Sequence, residues 1–149
     1  MAPGLSTGLA RLFGSTASLE SNGKLVDLKD ALGGKEFVLL YASAHWCGPC
    51  RSFTPQLTKW YNQAKKNSNV EVVFLSADHD ETSFAQYFQS MPWLAVPYED
   101  DAREELMAHI KVTGIPRLVV LDGRTGRIIV DNAVGQPLDP TKWRTLLKK

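Results

Sequence analysis

Apolar residues follow two rhythms along this chain. Phe37-Val38-Leu39-Leu40-Tyr41-Ala42, Val70-Glu71-Val72-Val73-Phe74-Leu75 and Leu118 to Leu121 are short, nearly continuous runs rich in strand formers. They read as buried strands. Between and after them the apolar positions space out to the period of a helix: Phe53, Leu57, Trp60, Tyr61 and Ala64; Phe84, Tyr87 and Phe88; Leu106 and Ile110; Trp143, Leu146 and Leu147. Polar punctuation bounds these elements. Ser21-Asn22-Gly23-Lys24 predicts a hairpin turn, and Gly33-Gly34 ends a short helix from Asp27 to Leu32. Asp80 caps a helix from Glu81 to Ser90, which Met91-Pro92-Trp93-Leu94 ends; Asp100 or Asp101 caps the next, through about Ile110. Asp122-Gly123-Arg124-Thr125-Gly126 turns the chain back along Arg127 to Val130, and Asp139-Pro140 opens a last helix. The order predicts an α/β sandwich of three layers: a mixed central sheet, parallel crossovers first and an antiparallel hairpin last, with helices on both faces.

A chain of 149 residues, 44% hydrophobic and 22% charged, fits a single globular domain over residues 1–149. The formal net charge of +1 offers nothing to a nucleic acid, and no apolar run approaches the roughly 20 residues that span a bilayer. Residues 1–18 are rich in Gly, Ser and Ala, with Arg11 the one charged side chain before Glu20. They are expected as a loosely ordered extension or as a short amphipathic helix with Leu5, Leu9, Leu12 and Phe13 on one face. The segment lacks the apolar core of a secretory signal; its freedom from acidic residues leaves a mitochondrial presequence as the alternative to a cytoplasmic location.

The chemistry concentrates at Trp46-Cys47-Gly48-Pro49-Cys50, which holds both cysteines of the chain. A C-x-x-C pair after a strand and at the start of a helix suits reversible dithiol–disulfide exchange. A free thiol has a pKa of about 8.5. A helix N-terminus is worth up to about 2 kcal/mol to an anion, enough to bring that value to roughly 7 at about 1.4 kcal/mol per unit. Cys47, at the open end, is the expected attacking thiol. Cys50, three residues on and on the same face, is the resolving thiol. Gly48 lets a partner backbone approach, Pro49 fits the first turn, and Trp46 forms an apolar rim. A structural zinc site needs four ligands, and His45, His79 and His109 have no ligand spacing, so no metal is expected. A purely structural disulfide closing so small a ring restrains little chain entropy. No Gly-rich dinucleotide fingerprint is present, so no bound cofactor is expected.

With Ile115-Pro116, the Trp46–Cys50 segment resembles the thioredoxin superfamily. Phe53-Thr54-Pro55-Gln56-Leu57, Val72 to Asp78 and Met91 to Tyr98 resemble its tryparedoxin and nucleoredoxin branch. The resemblance runs from about Leu19 to about Asp131. It implies a thioredoxin-like fold, oxidoreductase activity, and a cis Ile115-Pro116 bond facing the cysteines in a loop that pairs with an extended substrate segment. It implies as electron donor a low-molecular-weight dithiol such as trypanothione, or a reductase. As acceptors it implies disulfide-containing proteins such as peroxiredoxins; a monomer is expected. Nucleoredoxins are similar but also act as regulatory binding partners, so a redox-sensitive binding module stands beside the enzyme as an alternative.

The chain departs from the pattern at four places. Gly48 stands where this branch usually carries proline. Tyr41 occupies the place of the buried aspartate that thioredoxins hold six residues before the first cysteine. Ala77-Asp78-His79 replaces Trp-Asp-Glu, and Arg117 follows the proline where threonine is common. Asp78 and His79 are therefore candidates for moving the Cys50 proton, with solvated loop residues as the plain alternative. Arg117 is expected to lower the thiol pKa, to meet an anionic substrate, or to do neither. His45 is expected at the surface, and Trp93 in the core.

Overall fold

The computed structural model describes residues 4–148. The segment expected as a loose or amphipathic extension holds α1 (Thr7–Phe13), which buries Leu9 and Phe13 completely. Residues 1–3 of that expectation lie outside the described residues. The hairpin follows as β1 (Ser18–Ser21) and β2 (Lys24–Asp27), turned through Asn22 and Gly23, both at positive φ. Next come α2 (Leu28–Leu32), β3 (Phe37–Ser43), α3 (Gly48–Asn67), β4 (Val70–Ser76) and α4 (Glu81–Phe88). The chain then forms β5 (Leu94–Ala95), α5 (Ala102–His109), β6 (Arg117–Asp122), β7 (Ile128–Val130) and α6 (Pro140–Leu147).

The strands form one mixed sheet of seven in the order β2-β1-β5-β4-β3-β6-β7. β3, β4 and β5 run parallel, while β6, β7, β1 and β2 are joined antiparallel. The central strands alternate between two apolar faces, as a period of two requires. Phe37, Leu39, Tyr41, Val72, Phe74, Leu118 and Val120 pack against Leu57 and Tyr61 of α3, Phe84 and Phe88 of α4 and Trp143 of α6. Val38, Leu40, Val73, Leu75, Val119 and Leu121 pack against α1, α2 and α5. Burying each such large side chain contributes about 1.5–3 kcal/mol. Trp93 sits in the first cluster at 1% exposure, edge-on to Tyr41 and Tyr61.

Two details depart from the sequence expectation. Leu94, read with Met91-Pro92-Trp93 as the end of a helix, instead forms β5 with Ala95, a two-residue strand defined by pairing with Val73, Phe74 and Glu20. The preceding helix stops at Phe88. At α5 the two expected residues divide the cap: Asp101 holds the cap position without a side-chain bond, and Asp100 Oδ1 accepts the Ala102 N–H at 2.9 Å.

Strand register sets what meets where. Ser43 pairs with Ser76, so the segments leaving β3 and β4 emerge side by side. Arg117 pairs with Ala42, which brings the Ile115-Pro116 loop to the same edge. The crevice at the carboxyl ends of parallel strands is where such sheets bind ligands. At the opposite pole Gly4, Lys35, Glu36 and Arg124 line a cleft of about 550 Å³, and Glu36, Arg124, Arg144 and Lys148 line a second of about 370 Å³. There α1 lies so close to the β6–β7 turn that a Cβ on Gly8 would collide with the Thr125 carbonyl.

Candidate active site

The chain leaves β3 at Ser43, crosses four residues and enters α3 with Cys47 at its N-cap. Pro49 lies in the first turn, where its missing N–H has no intrahelical role. Cys47 and Cys50 are disulfide-bonded with Cα atoms 5.2 Å apart. Cys47 Sγ accepts the Cys50 N–H at 3.2 Å, so a helix N-terminal donor points at that sulfur. The same sulfur lies 3.8 Å from the Ile115 carbonyl oxygen, across a cis Ile115-Pro116 bond. Ala44, Ala77 and Ile115 close an apolar shell around the pair. Cys47 retains 6% exposure and Cys50 none, so solvent reaches the pair through Cys47. Beside it a side chain at Gly48 would meet nothing within 4 Å.

The rim is aromatic. Trp46 is 54% exposed, donates its Nε1–H to the Ala77 carbonyl at 3.1 Å, and stacks on the exposed His79 ring at 5.4 Å. The side-by-side exit from β3 and β4 makes this stack. His45 is exposed, its ring against Tyr87. Asp78 is not a solvated loop residue: it is buried, and both carboxylate oxygens are engaged. Oδ1 accepts the His45 N–H at 2.8 Å and Oδ2 accepts the Ser76 hydroxyl at 2.7 Å. Its carbonyl accepts the Tyr98 hydroxyl at 2.8 Å, and Arg103 ties down Tyr98 and Ser76 in turn. Asp78 thus holds the loop that carries Trp46 and Cys47. The Arg117 guanidinium is largely buried and pairs with Asp131 at 2.8 Å.

Beneath Cys50 lies a group that the motifs did not reveal. Tyr41 OH is 2.6 Å from Thr54 Oγ1, which is 2.7 Å from Tyr87 OH, which is 2.8 Å from Ser43 Oγ. Thr54 also donates to the Cys50 carbonyl at 2.9 Å. Thr54 is four residues after Cys50, and that helical spacing was the available signal. Burial, above all, pushes the Tyr41 phenol well above its ordinary range. It stays protonated and offers no base where a thioredoxin has a carboxylate. Among the described residues no group of three or more His, Cys, Asp or Glu converges as a metal site would require.

A cysteine pair at a helix N-terminus, beside the Ile115-Pro116 loop on a mixed sheet, defines an oxidoreductase of thioredoxin fold. The thioredoxin-like family model matches residues 34–128, and the chain belongs to that family. It is 46% identical over 118 residues to probable nucleoredoxin 1 of Arabidopsis thaliana, covering 78% of this chain and 20% of that protein. It is 39% identical over 124 residues to tryparedoxin of Trypanosoma brucei brucei, covering 83% and 85%. The structure of tryparedoxin II complexed with glutathionylspermidine superposes with a TM-score of 0.80 at 32% identity, covering 96% of this chain and 93% of that one. The chain spans between 20% and 32% of the nucleoredoxins it matches.

Proposed function

We propose that this protein reduces protein disulfides, cycling the Cys47–Cys50 pair between dithiol and disulfide. The observation that carries the reading is the placement of Cys47 Sγ: at the cap of α3, 3.2 Å from a backbone donor and 3.8 Å from the Ile115 carbonyl, with Cys50 fully buried behind it. The Cys47 thiolate attacks a disulfide sulfur of the partner protein, forming a mixed disulfide and releasing one partner thiolate. Cys50 loses its proton, and its sulfur bonds to Cys47. The mixed bond breaks, and the second partner sulfur leaves as thiolate with the electron pair. The oxidised pair is then reduced by a small dithiol such as trypanothione, or by a reductase. Likeness to tryparedoxins over nearly their whole length supports the dithiol, and disulfide-containing peroxidases are the acceptors we favour. The protein works as a monomer in the cytoplasm, with mitochondria as the alternative site.

Reduction of insulin with a recycling reductant tests the reading. Wild type gives many turnovers, Cys47→Ser gives none, and Cys50→Ser accumulates partners as mixed disulfides. Equal turnover by Cys47→Ser and wild type would refute it. Comparing trypanothione, glutathione and a thioredoxin reductase as donors then separates tryparedoxin-type supply from the others. The 46% identity to a nucleoredoxin favours a second reading, a redox-sensitive binding module. Stoichiometric reaction followed by redox-dependent partner binding would establish that instead.

A further inference from the structure

Cys50 is held at both of its peptide planes. Its N–H donates to Cys47 Sγ at 3.2 Å, and its carbonyl accepts the Thr54 hydroxyl at 2.9 Å. In the same peptide unit as that carbonyl, the Arg51 N–H donates to the Cys47 carbonyl at 3.1 Å. The helix just beyond is weakened. Pro55 lies inside α3 and has no N–H, so the Arg51 carbonyl, four residues earlier, lacks its intrahelical partner. The turn bearing both cysteines therefore joins the rest of α3 through an incomplete ladder, and Thr54 sits immediately before the gap.

The Thr54 hydroxyl is itself fixed. Every hydroxyl proton in the cluster finds an acceptor: Ser43 donates to Tyr87, Tyr87 and Tyr41 donate to Thr54, and Thr54 donates to the Cys50 carbonyl, which the Tyr41 hydroxyl also faces at 3.4 Å. Ser43 and Tyr41 are fully buried, and Thr54 and Tyr87 are each 5% exposed. Such a chain is polarised along its length and ends on the Cys50–Arg51 peptide. It contains no carboxylate.

We infer that Thr54 is a positioning residue for disulfide exchange. Through the buried hydroxyls of Ser43, Tyr41 and Tyr87 it sets the Cys50 backbone, and with it the approach of the Cys50 sulfur to Cys47. This rests on the reading of Cys50 as the resolving thiol. In that step the Cys50 proton leaves on water that enters beside Cys47, the one sulfur of the pair that solvent reaches, the Cys50–Cys47 bond forms, and the substrate sulfur departs as thiolate.

The reaction of the reduced protein with 5,5′-dithiobis(2-nitrobenzoate) separates the steps. Attack by Cys47 releases one coloured thiolate, and attack by Cys50 on the mixed disulfide releases a second. Thr54→Val, nearly isosteric but without the hydroxyl, slows the second release about tenfold while the first stays within about twofold. Thr54→Ser restores both. Tyr87→Phe, which removes one donor to Thr54, slows the second release about threefold and serves if Thr54→Val does not fold. A Thr54→Val protein with a lowered Tm but a second release within about twofold of wild type would overturn the inference, since displacement of the sulfur alone should cost more. So would unchanged rates in Tyr87→Phe. A wild-type protein that releases only one equivalent would overturn the assignment of Cys50 itself.

Discussion

Asp78 and His79 are neighbours in the chain with opposite fates. The Asp78 carboxylate is turned inward onto the His45 amide and the Ser76 hydroxyl, while the His79 ring turns outward onto Trp46. Asp78→Asn keeps the shape, but its NH₂ group faces one donor that it cannot accept. Leaving that buried donor unpaired costs about 1–3 kcal/mol, measurable by urea unfolding. Insulin reduction falls with it, because the loop bearing Trp46 and Cys47 loses its anchor. The two residues were legible as lying near the cysteines, since both follow a buried strand. Their directions were not. Those depend on the pairing of Ser43 with Ser76, which sets the His45 amide beside Asp78 and which no local spacing encodes. The hydroxyl cluster was hidden for a similar reason. Tyr41, Thr54 and Tyr87 each read as ordinary members of a strand or helix, and only packing brings their oxygens together.

Among the elements, those with a strong apolar period were readable. β3, β4 and β6 stood out as nearly continuous apolar runs, and α1 showed its Leu9 and Phe13 stripe. β5 did not, because two residues carry no period and owe their state to neighbouring strands. The contact of α1 with the β6–β7 turn was equally invisible, yet it has a clear consequence. Gly→Ala inside a helix ordinarily stabilises by up to about 1 kcal/mol. At Gly8 the added methyl meets the Thr125 backbone, which cannot move aside as a flexible side chain would. Gly8→Ala is therefore expected to destabilise by about 1–3 kcal/mol, the usual range for overpacking. Thermal unfolding gives the sign directly.

For the whole molecule, element order alone anticipated the sandwich, because consecutive strands joined through helices leave few un-knotted arrangements. Long-range charge pairing was not so evident. Arg144 of α6 donates to both oxygens of Glu36 just before β3, at 2.8 and 2.9 Å. Hydrogen bonding from that guanidinium holds the Glu36 carboxyl below its ordinary range. A carboxyl lowered by folding adds stability above its unfolded pKa, about 4.3 for Glu, and loses it as the pH falls through the lowered value. Glu36→Gln should accordingly melt below wild type at pH 7 and level with it in strong acid; a gap that persists in acid would speak against the pair. The same pole has a geometric consequence. Gly4 and Lys148 flank adjoining clefts that share Glu36 and Arg124, at the end of the sheet away from the sulfurs. The Arg144–Glu36 pair in one of those clefts is thereby set apart from the sulfurs, so its loss registers in melting and leaves the geometry around Cys47 undisturbed.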